Sequence, residues 1–524
     1  MSNSHEVMFY TDGRHTSVYL HEPPMGEKRY VEPIDELVDL GIDTITYAVG
    51  DCSVLLYATE AGERWGHNVD LTGHDIWWRA AHNLRLIIDS GVDPLMLVCE
   101  HAQMRGFQFL PSLLLNMLHT PPDRVTNCRV ANFTTEHPQW QVGPEPDFPE
   151  AEHDQPNRLS YAVPQVRANR LAVIKELVNK YPCDGIELNM YDYAPFIARR
   201  EVEEHTATLT EWMRDIRKTC DDASAEQGRS KRLVVRTGST VAGNKAMGMD
   251  LETWVRDGIV DAVLAMQVVG GFDSDTTGLR EIVAAAQTKN VKVLAGIEAA
   301  NQPEFTVELN RAAATNAYAA GAKGVLFHTY YPMPGRYPYD NDATGRIRFM
   351  GHPDLLAQQD KTFRVSVTKR AGSANSYGLS EQLPQALTHG EAGEPIRLEV
   401  SDDVVGMARL GQLWRCELKV MLQHLAYEDQ VRLLWNDQEI PESQWRKADW
   451  TYQVRPRPEY AVNGYRLHVD LKEIDHLPCS GVNTVQVEVL KKDPQLIHAI
   501  TIVDVELQVQ YLPHRNGLRA DERF

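Results

Sequence analysis

Short apolar runs alternate with amphipathic stretches along the first part of the chain. The runs are rich in Val, Ile and Leu, which is typical of strands that are buried on both faces. They are "VMFYTDG" (7–13), "DTITYAVGD" (43–51), "DPLMLVCEH" (93–101), "CDGIELNM" (183–190), "RLVVRTGS" (232–239), "DAVLAMQVV" (261–269), "VKVLAGIEA" (291–299) and "GVLFHTYYP" (324–332). Eight such strands alternating with helical patterns predict an α/β fold, a (β/α)8 TIM barrel over residues 1–345.

One part of this region lacks a clear period. Residues 105–160 are rich in proline, as in "TPPDR" and "VGPEPDFPE". A long segment without elements of its own is usually a functional loop, so we predict a loop over the site. The first run continues as "YTDGRHTS", which is not the G-x-G-x-x-G turn of a doubly wound open sheet, and this favours the barrel.

The pattern changes after about residue 362. Stretches such as "CELKVMLQH", "GYRLHVDLKEI" and "NTVQVEVLKK" alternate apolar and polar residues with a period of two, and turn residues separate them. This pattern predicts an all-β antiparallel sandwich over residues 362–515. The boundary falls in "YPYDNDATGRIRFMGHPDLL", and we expect the sandwich to support the barrel.

Composition narrows the classes of partner. The 524 residues are 43% hydrophobic and 24% charged, with a formal net charge of −20. This negative net charge argues against nucleic acid and anionic membranes as partners, because both bind basic surfaces. The seven cysteines show no C-x-x-C pair, and neither a signal sequence nor a long apolar run is visible. We therefore expect free thiols, no membrane segment and a cytoplasmic location, and a homo-oligomer is compatible with this composition.

Polar side chains at the carboxyl ends of the strands are the candidates for chemistry, because barrels of this kind place their sites there. On the fourth strand, the period of two puts Glu187, Asn189 and Tyr191 on one face, and Asp192 follows. Glu298 ends the seventh strand, across the barrel. Two facing carboxylates are what glycosidic cleavage requires. We predict Glu187 as general acid/base and Glu298 as nucleophile or base, with Asp192 as a further catalytic candidate.

The remaining candidates would bind the sugar. They are Asp12, Glu100, His101, Trp140 in the long third loop, Asn189, Tyr191, Arg236, Gln267, His328 and Tyr330. Hydroxyl-rich rings suit such polar and aromatic groups. The sequence contains no H-E-x-x-H and no H-x-H on the first strand, so we expect neither a metal nor another cofactor.

"CDGIELNMYDY" (183–193) resembles the fourth-strand signature of the bacterial glycosyl hydrolase-like barrels called family 10-like glycosylhydrolases, which commonly read D-G-[IV]-x-[LF]-D. "AGAKGVLFHTYYP" resembles their eighth strand, and a β-sandwich often follows their barrel. The resemblance implies a carbohydrate-active (β/α)8 enzyme with a carbohydrate substrate and acidic site residues at the end of strand four.

The sequence departs from this signature at one position. Asn189 stands where the family commonly has an aspartate. The same stretch also resembles the chitinase motif D-G-x-D-x-D-x-E, in which Tyr191 would replace the catalytic glutamate. Two alternatives therefore stay open beside a glycoside hydrolase: a non-catalytic carbohydrate-binding barrel, and a metal-dependent hydrolase or lyase on the same fold.

Overall fold

The computed structural model of the protein describes residues 5–50, 54–68, 73–116, 127–143, 158–266, 273–289, 291–298, 306–328, 345, 347–367, 382–449 and 464–512. Its first part is a closed barrel of eight strands in sequential order, each parallel to its neighbours. The strands are β1 (Glu6–Thr11), β2 (Thr44–Ala48), β3 (Gln108–Leu114), β4 (Gly185–Asn189), β5 (Arg232–Gly238), β6 (Ala262–Met266), β7 (Lys292–Glu298) and β8 (Gly324–His328). The predicted barrel is confirmed.

Helices alternate with the strands and surround the barrel. They are α1 (Glu27–Asp35), α2 (Asp75–Asp89), α3 (Pro94–Met104), the short α4 (Asn132–Thr135), α5 (Pro164–Lys180), α6 (Val202–Gln227), α7 (Val241–Ala246), α8 (Leu251–Arg256), α9 (Thr277–Ala286) and α10 (Val307–Ala319). A π-helical turn (Arg14–Val18) follows β1, and 3-10 turns lie at Pro138–Trp140, Arg199–Glu201 and Gln287–Lys289. None of the helices in the described ranges is long and apolar enough to cross a membrane.

The predicted third strand is wrong. Residues 93–101 lie in and just before helix α3, where the Asp93 side chain accepts a hydrogen bond from Leu95 N and Pro94 occupies the first turn. Asp followed by Pro is a helix start signal that outweighs the apolar run. The true third strand lies inside the stretch predicted as a loop. It contains Pro111, which lacks an N–H donor and is unusual inside a sheet.

The last part of the chain forms two antiparallel sheets, so the predicted sandwich is also confirmed. The strands are β9 (Lys361–Ser366), β10 (Gln385–Ala386), β11 (Ile396–Val400), β12 (Leu413–Gln423), β13 (Gln430–Trp435), β14 (Gln438–Ile440), β15 (Arg446–Asp449), β16 (Gly464–Asp470), β17 (Gly481–Lys491) and β18 (Thr501–Tyr511). One sheet has the order β10–β18–β12–β16–β15 with β9 paired to β18, and the other has the order β11–β17–β13–β14.

Three shorter helical segments accompany these sheets: α11 (Pro353–Leu356), α12 (Val404–Arg409) and a 3-10 turn at Glu442–Gln444. The exact domain limits, 1–345 and 362–515, stay predictions, because residues 329–344 and 513–524 lie outside the described ranges.

A buried carboxylate joins the sandwich to the barrel. Glu399 on β11 accepts hydrogen bonds from N and Oγ1 of Thr276, at 3.0 and 2.8 Å, and from Nη2 of Arg280 at 2.5 Å. Asn316 of α10 donates to the Glu399 carbonyl at 3.0 Å. Because one side chain satisfies donors from the start of α9, the sandwich is held against this helix of the barrel.

Candidate active site

Strand β4 begins with a backbone approach that only glycine permits. Gly185 has φ of +141°, and a Cβ there would collide with the backbone of Arg232 on β5. The carboxylate of the preceding Asp184 accepts a hydrogen bond from Phe109 N at 2.8 Å. Asp-Gly therefore locks β4 against both neighbouring strands. This register puts Glu187 and Asn189 on the inner face, opposite Val234 and Arg236 of β5.

Glu187 and Arg236 form an ion pair inside the barrel. Nη2 of Arg236 donates to Oε2 of Glu187 at 2.9 Å, and Nε lies 2.7 Å from Oε1. Both side chains are 0% exposed. The guanidinium also lies over the ring of Tyr10, 4.3 Å from its centroid. Nη1 of Arg236 is buried and has no hydrogen-bond partner among the residues that the structure describes.

Burial by itself lowers the pKa of Arg236, but Glu187, Tyr10 and Asp192 outweigh burial and raise it above its ordinary value. The guanidinium is thus a permanent positive charge at the floor of the site. Glu187 is its counter-ion and is completely enclosed. An enclosed carboxylate that already pairs with an arginine is poorly placed to exchange a proton with a substrate.

Asn189 organises the turn that follows β4. Its Oδ1 accepts from the backbone N–H groups of Tyr191 and Asp192, each at 3.1 Å. Its Nδ2 donates to Oδ2 of Asp192 at 2.8 Å. A carboxylate at position 189 could not make the last bond and would repel Asp192. The Asn189 amide therefore helps to hold the Asp192 side chain in position.

Asp192 is the accessible carboxylate on this side of the site. Its side chain is 20% exposed, and Oδ2 lies 3.5 Å from Nε2 of His328 at the end of β8. Burial by itself raises the pKa of Asp192, but the charge and hydrogen bond of His328, Arg236 and Asn189 together hold it well below the ordinary range. Asp192 is ionised at neutral pH, which suits a base, a nucleophile or a stabiliser of positive charge.

Asp12 lies just past the end of β1, and the two residues after the following glycine bind its carboxylate. Its carboxylate accepts from Arg14 Nε at 3.1 Å, from the backbone N–H of His15 at 2.9 Å, and contacts His15 Nδ1 at 2.6 Å. Burial raises the pKa of Asp12, but Arg14 and His15 outweigh burial and hold the pKa well below its ordinary range. These contacts make Asp12 an anchor for the first loop, and a sugar-binding role for it stays a prediction.

The structure describes three of the other five predicted residues and leaves two outside the described ranges. Tyr191 is buried, and its ring meets that of His328 edge-on with centroids 6.4 Å apart. Glu298 is the last residue of β7 and pairs in register with His328. Trp140 is partly buried and stacks on His137 with centroids 3.6 Å apart. Gln267 and Tyr330 lie outside the described residues, so their roles stay predictions.

Two predicted site residues are in the wrong place. Glu100 and His101 lie on helix α3 outside the barrel, not at the end of a strand. Glu100 is exposed, and Nε2 of His101 lies 2.9 Å from Asp35 on helix α1. Their assignment followed from the wrong third strand. The prediction also missed Tyr10, although the alternation along β1 puts it on the inner face with Met8.

The site offers an anionic carboxylate, a guanidinium donor, an imidazole and two aromatic rings around one end of the barrel. This set can bind a hydroxyl-rich molecule and stabilise positive charge on it. Among the described residues, no group of three His, Cys, Asp or Glu side chains is arranged to hold a metal ion.

Comparison with known proteins shows low similarity to individual structures. The glycoside hydrolase domain of PgaB (BpsB) from Bordetella bronchiseptica is 13% identical, with 66% of this chain and 98% of that chain covered and a TM-score of 0.43. The endo-1,4-beta-mannanase from Rhizomucor miehei is 12% identical, with 68% and 96% covered and a TM-score of 0.41.

A larger enzyme is also similar. Alpha-L-fucosidase isoenzyme 2 from Paenibacillus thiaminolyticus is 13% identical, with 68% of this chain covered and a TM-score of 0.42, and the match spans 50% of the fucosidase. No curated protein is significantly similar to this chain. Residues 7–222, which include strands β1 to β4 and the Asp192 turn, match the model of the family described as Glycosyl hydrolase-like 10, in agreement with the resemblance of the fourth strand.

Proposed function

We propose that the barrel is a glycoside hydrolase in which Asp192 and Glu298 are the two carboxylates that cleave the bond. The observation that carries this proposal is the contrast between Asp192 and Glu187. Asp192 is 20% exposed and beside His328, whereas Glu187 is 0% exposed and committed to Arg236. The carboxylate that reaches a substrate is therefore Asp192, and Glu187 acts by positioning Arg236.

The two carboxylates take different roles. The low pKa of Asp192, which His328, Arg236 and Asn189 maintain against burial, keeps it negative while positive charge develops on the sugar ring. Asp192 is then the nucleophile or the base. Glu298, next to His328 in the strand register, is the candidate for the acid that protonates the leaving oxygen. This division reverses the roles that the sequence suggested for the two sides of the pocket.

Binding of the sugar falls to the groups around Asp192. Nη1 of Arg236, which is buried and has no partner among the described residues, is the donor that we propose for a ring hydroxyl, and His328 and Tyr191 line the same end of the barrel. A neutral oligosaccharide fits this set, because Asp192 would repel an anionic ring placed against it.

The test is a kinetic comparison on a panel of glycans, with product analysis by mass spectrometry. Asp192→Asn and Glu298→Gln should each lower kcat/KM by about 10²- to 10⁴-fold on whichever glycan is cleaved. Glu100→Gln is the matched control, since it makes the same chemical change on the exposed surface of α3 and should leave the activity unchanged. Full activity in both site variants would show the assignment to be wrong.

A non-catalytic carbohydrate-binding barrel is the second candidate. It is favoured by Asn189, which stands where the family commonly has an aspartate, and by the enclosure of Glu187. Calorimetry on the same glycans separates the two functions. Binding that saturates, that is weakened by Arg236→Lys and that yields no product at any pH supports the binding protein.

A further inference from the structure

A cavity lies outside the barrel wall. It has a volume of about 120 Å³ and is lined by residues of the segment after β2, of β3, of α4 and of α5, among them Leu55, Glu63, Leu113, Phe133 and Arg170. Leu113 belongs to the outer core of the barrel and not to its interior. The cavity is thus separate from the site around Asp192, on the opposite side of strand β3.

Arg170 is the unusual feature of this cavity. It lies on α5 and is only 4% exposed. Its Nη1 donates to Oδ1 of Asn169 at 2.8 Å. Its Nε and Nη2 have no hydrogen-bond partner within the described ranges of the chain. These two nitrogens form one edge of the guanidinium, with parallel N–H bonds that match the two oxygens of a carboxylate.

Glu63, the acidic residue of this cavity, does not bind this edge of the guanidinium. Glu63 lines the same cavity, but its oxygens accept from the backbone N–H groups of Asn132 and Phe133 at 2.8 and 2.9 Å. Its Oε2 also lies 2.5 Å from Nε2 of His67. Glu63 therefore serves as the cap of the short helix α4. A buried guanidinium edge with two unused donors is costly unless something binds there.

The walls define the chemistry of the ligand. Leu55, Leu113, Phe133 and Val173 form the apolar part of the lining, beside the polar groups of Glu63, Asn169 and Arg170. The Phe133 ring lies 5.9 Å from the Arg170 guanidinium. Glu63 adds a negative charge nearby, which disfavours an ion of charge −2 such as phosphate. We propose that this cavity binds a small monocarboxylate, held side-on by Nε and Nη2 of Arg170 with its aliphatic part against Leu113 and Phe133.

The proposal is independent of catalysis in the barrel. It concerns a different cavity, and it predicts a ligand that ties α5 to the segment after β2. Such a ligand binds the folded chain only, so it should raise the unfolding temperature, and the rise should continue with the logarithm of the free ligand concentration above Kd. The Asp192→Asn variant should bind it like the unmodified protein, which separates a failure here from a failure of the proposed function.

The test is calorimetry and thermal unfolding of the full chain with acetate, propionate, sulfate and inorganic phosphate at constant ionic strength. We expect one site for acetate and propionate, and at least tenfold weaker binding of phosphate and sulfate. Arg170→Lys keeps the charge but loses the paired donors, and should weaken propionate about tenfold or more. Ala61→Leu adds three carbon atoms to another lining residue, so it fills part of the cavity and should also abolish binding.

The matched control is Lys175→Met, which removes a positive charge from the exposed face of the same helix and should bind propionate normally. The proposal is overturned if the unmodified protein shows no saturable binding of either monocarboxylate. Equal binding by Ala61→Leu would also overturn it, as would equal affinity for all four anions. Because the unmodified protein and Ala61→Leu suffice for these outcomes, the proposal can be rejected even if the Arg170 variant misfolds.

Discussion

Strand β5 carries an arginine at each end, and both face the inside of the barrel. Arg232 lies at the amino end of the strand, and Arg236 lies at the carboxyl end. Each pairs with a glutamate on another strand: Arg232 with Glu6 of β1 and Arg236 with Glu187 of β4. The two pairs look alike in sequence, but their surroundings differ.

At the amino end of β5, Arg232 and Glu6 each have several hydrogen-bond partners. Arg232 donates to Oε1 of Glu6 at 2.8 Å and to Gln108 at 2.9 Å. Lys292 and Thr44 also donate to Glu6, at 2.9 and 3.0 Å. The pair is partly open to solvent, with Arg232 17% and Glu6 9% exposed. This is a closed network at the end of the barrel where residues serve stability.

At the carboxyl end the network is left open. Glu187 and Arg236 are 0% exposed, and Nη1 of Arg236 lacks a partner among the described residues. Asp192 and His328 stand beside the pair with a long 3.5 Å contact. An arginine–carboxylate pair by itself therefore says little about function. The unpaired Nη1 donor and the partly exposed carboxylate beside the pair distinguish the two ends.

The largest expected effect comes from breaking the enclosed pair. Arg236→Met leaves Glu187 buried without a counter-ion and should lower the free energy of unfolding by about 3–5 kcal/mol. Arg232→Met should lower the free energy of unfolding by clearly less, because water reaches Glu6 and because Lys292 still pairs with Glu6. Denaturation followed by circular dichroism measures both. Equal losses would contradict the contrast between the ends.

The double variant Glu187→Met/Arg236→Met separates stability from function. Two apolar side chains of similar volume should restore most of the stability, because neither leaves a buried charge behind. Glycan binding should stay lost, because Arg236 no longer offers Nη1. Recovery of binding together with stability would mean that the pair serves structure alone.

A smaller effect should follow from Glu6→Gln, and it should depend on pH. Burial raises the pKa of Glu6, but Arg232 and Lys292 outweigh burial and hold the pKa below its ordinary value of 4.5. The folded state therefore favours the charged form, whose stabilising effect is present above pH 4.5 and disappears as the pH falls through the lowered pKa. The variant should be about 1–2 kcal/mol less stable at neutral pH.

The measurement for Glu6→Gln is a series of denaturation curves from neutral pH downward. The curves of the variant and of the unmodified protein should converge at the acidic end. A constant difference at all pH values would indicate that packing, and not charge, is lost.

The smallest expected effect is that of Lys292→Ala, which removes an exposed partner of Glu6. The substitution should lower the free energy of unfolding by about 0.5 kcal/mol at low salt. This loss should vanish at about 1 M salt, because exposed charges are screened there. The penalty of Arg236→Met should persist at the same salt concentration, since its pair is enclosed. Unfolding in low and high salt checks both.

Much of this fold was predictable from local pattern. The β/α alternation predicted the barrel, and the period of two predicted both the sandwich and the inner position of Glu187 and Asn189. The failure at β3 was also local. An apolar run near residue 95 resembles a strand, but Asp93 and Pro94 start a helix there. Because a proline interrupts the true strand, its pattern was harder to recognise.

On the strands that local pattern identified correctly, the strand period was enough to predict which side chains face the interior, as for Glu187 and Asn189. The partners of those side chains depend on the tertiary structure. Arg236 is 49 residues from Glu187, and the His328 ring that flanks Asp192 comes from the last barrel strand. These contacts depend on the closure of the barrel, which no local pattern encodes. Closure enclosed Glu187 and left Asp192 partly exposed, so the candidate catalytic carboxylate on this side of the barrel moved from the strand to the turn after it.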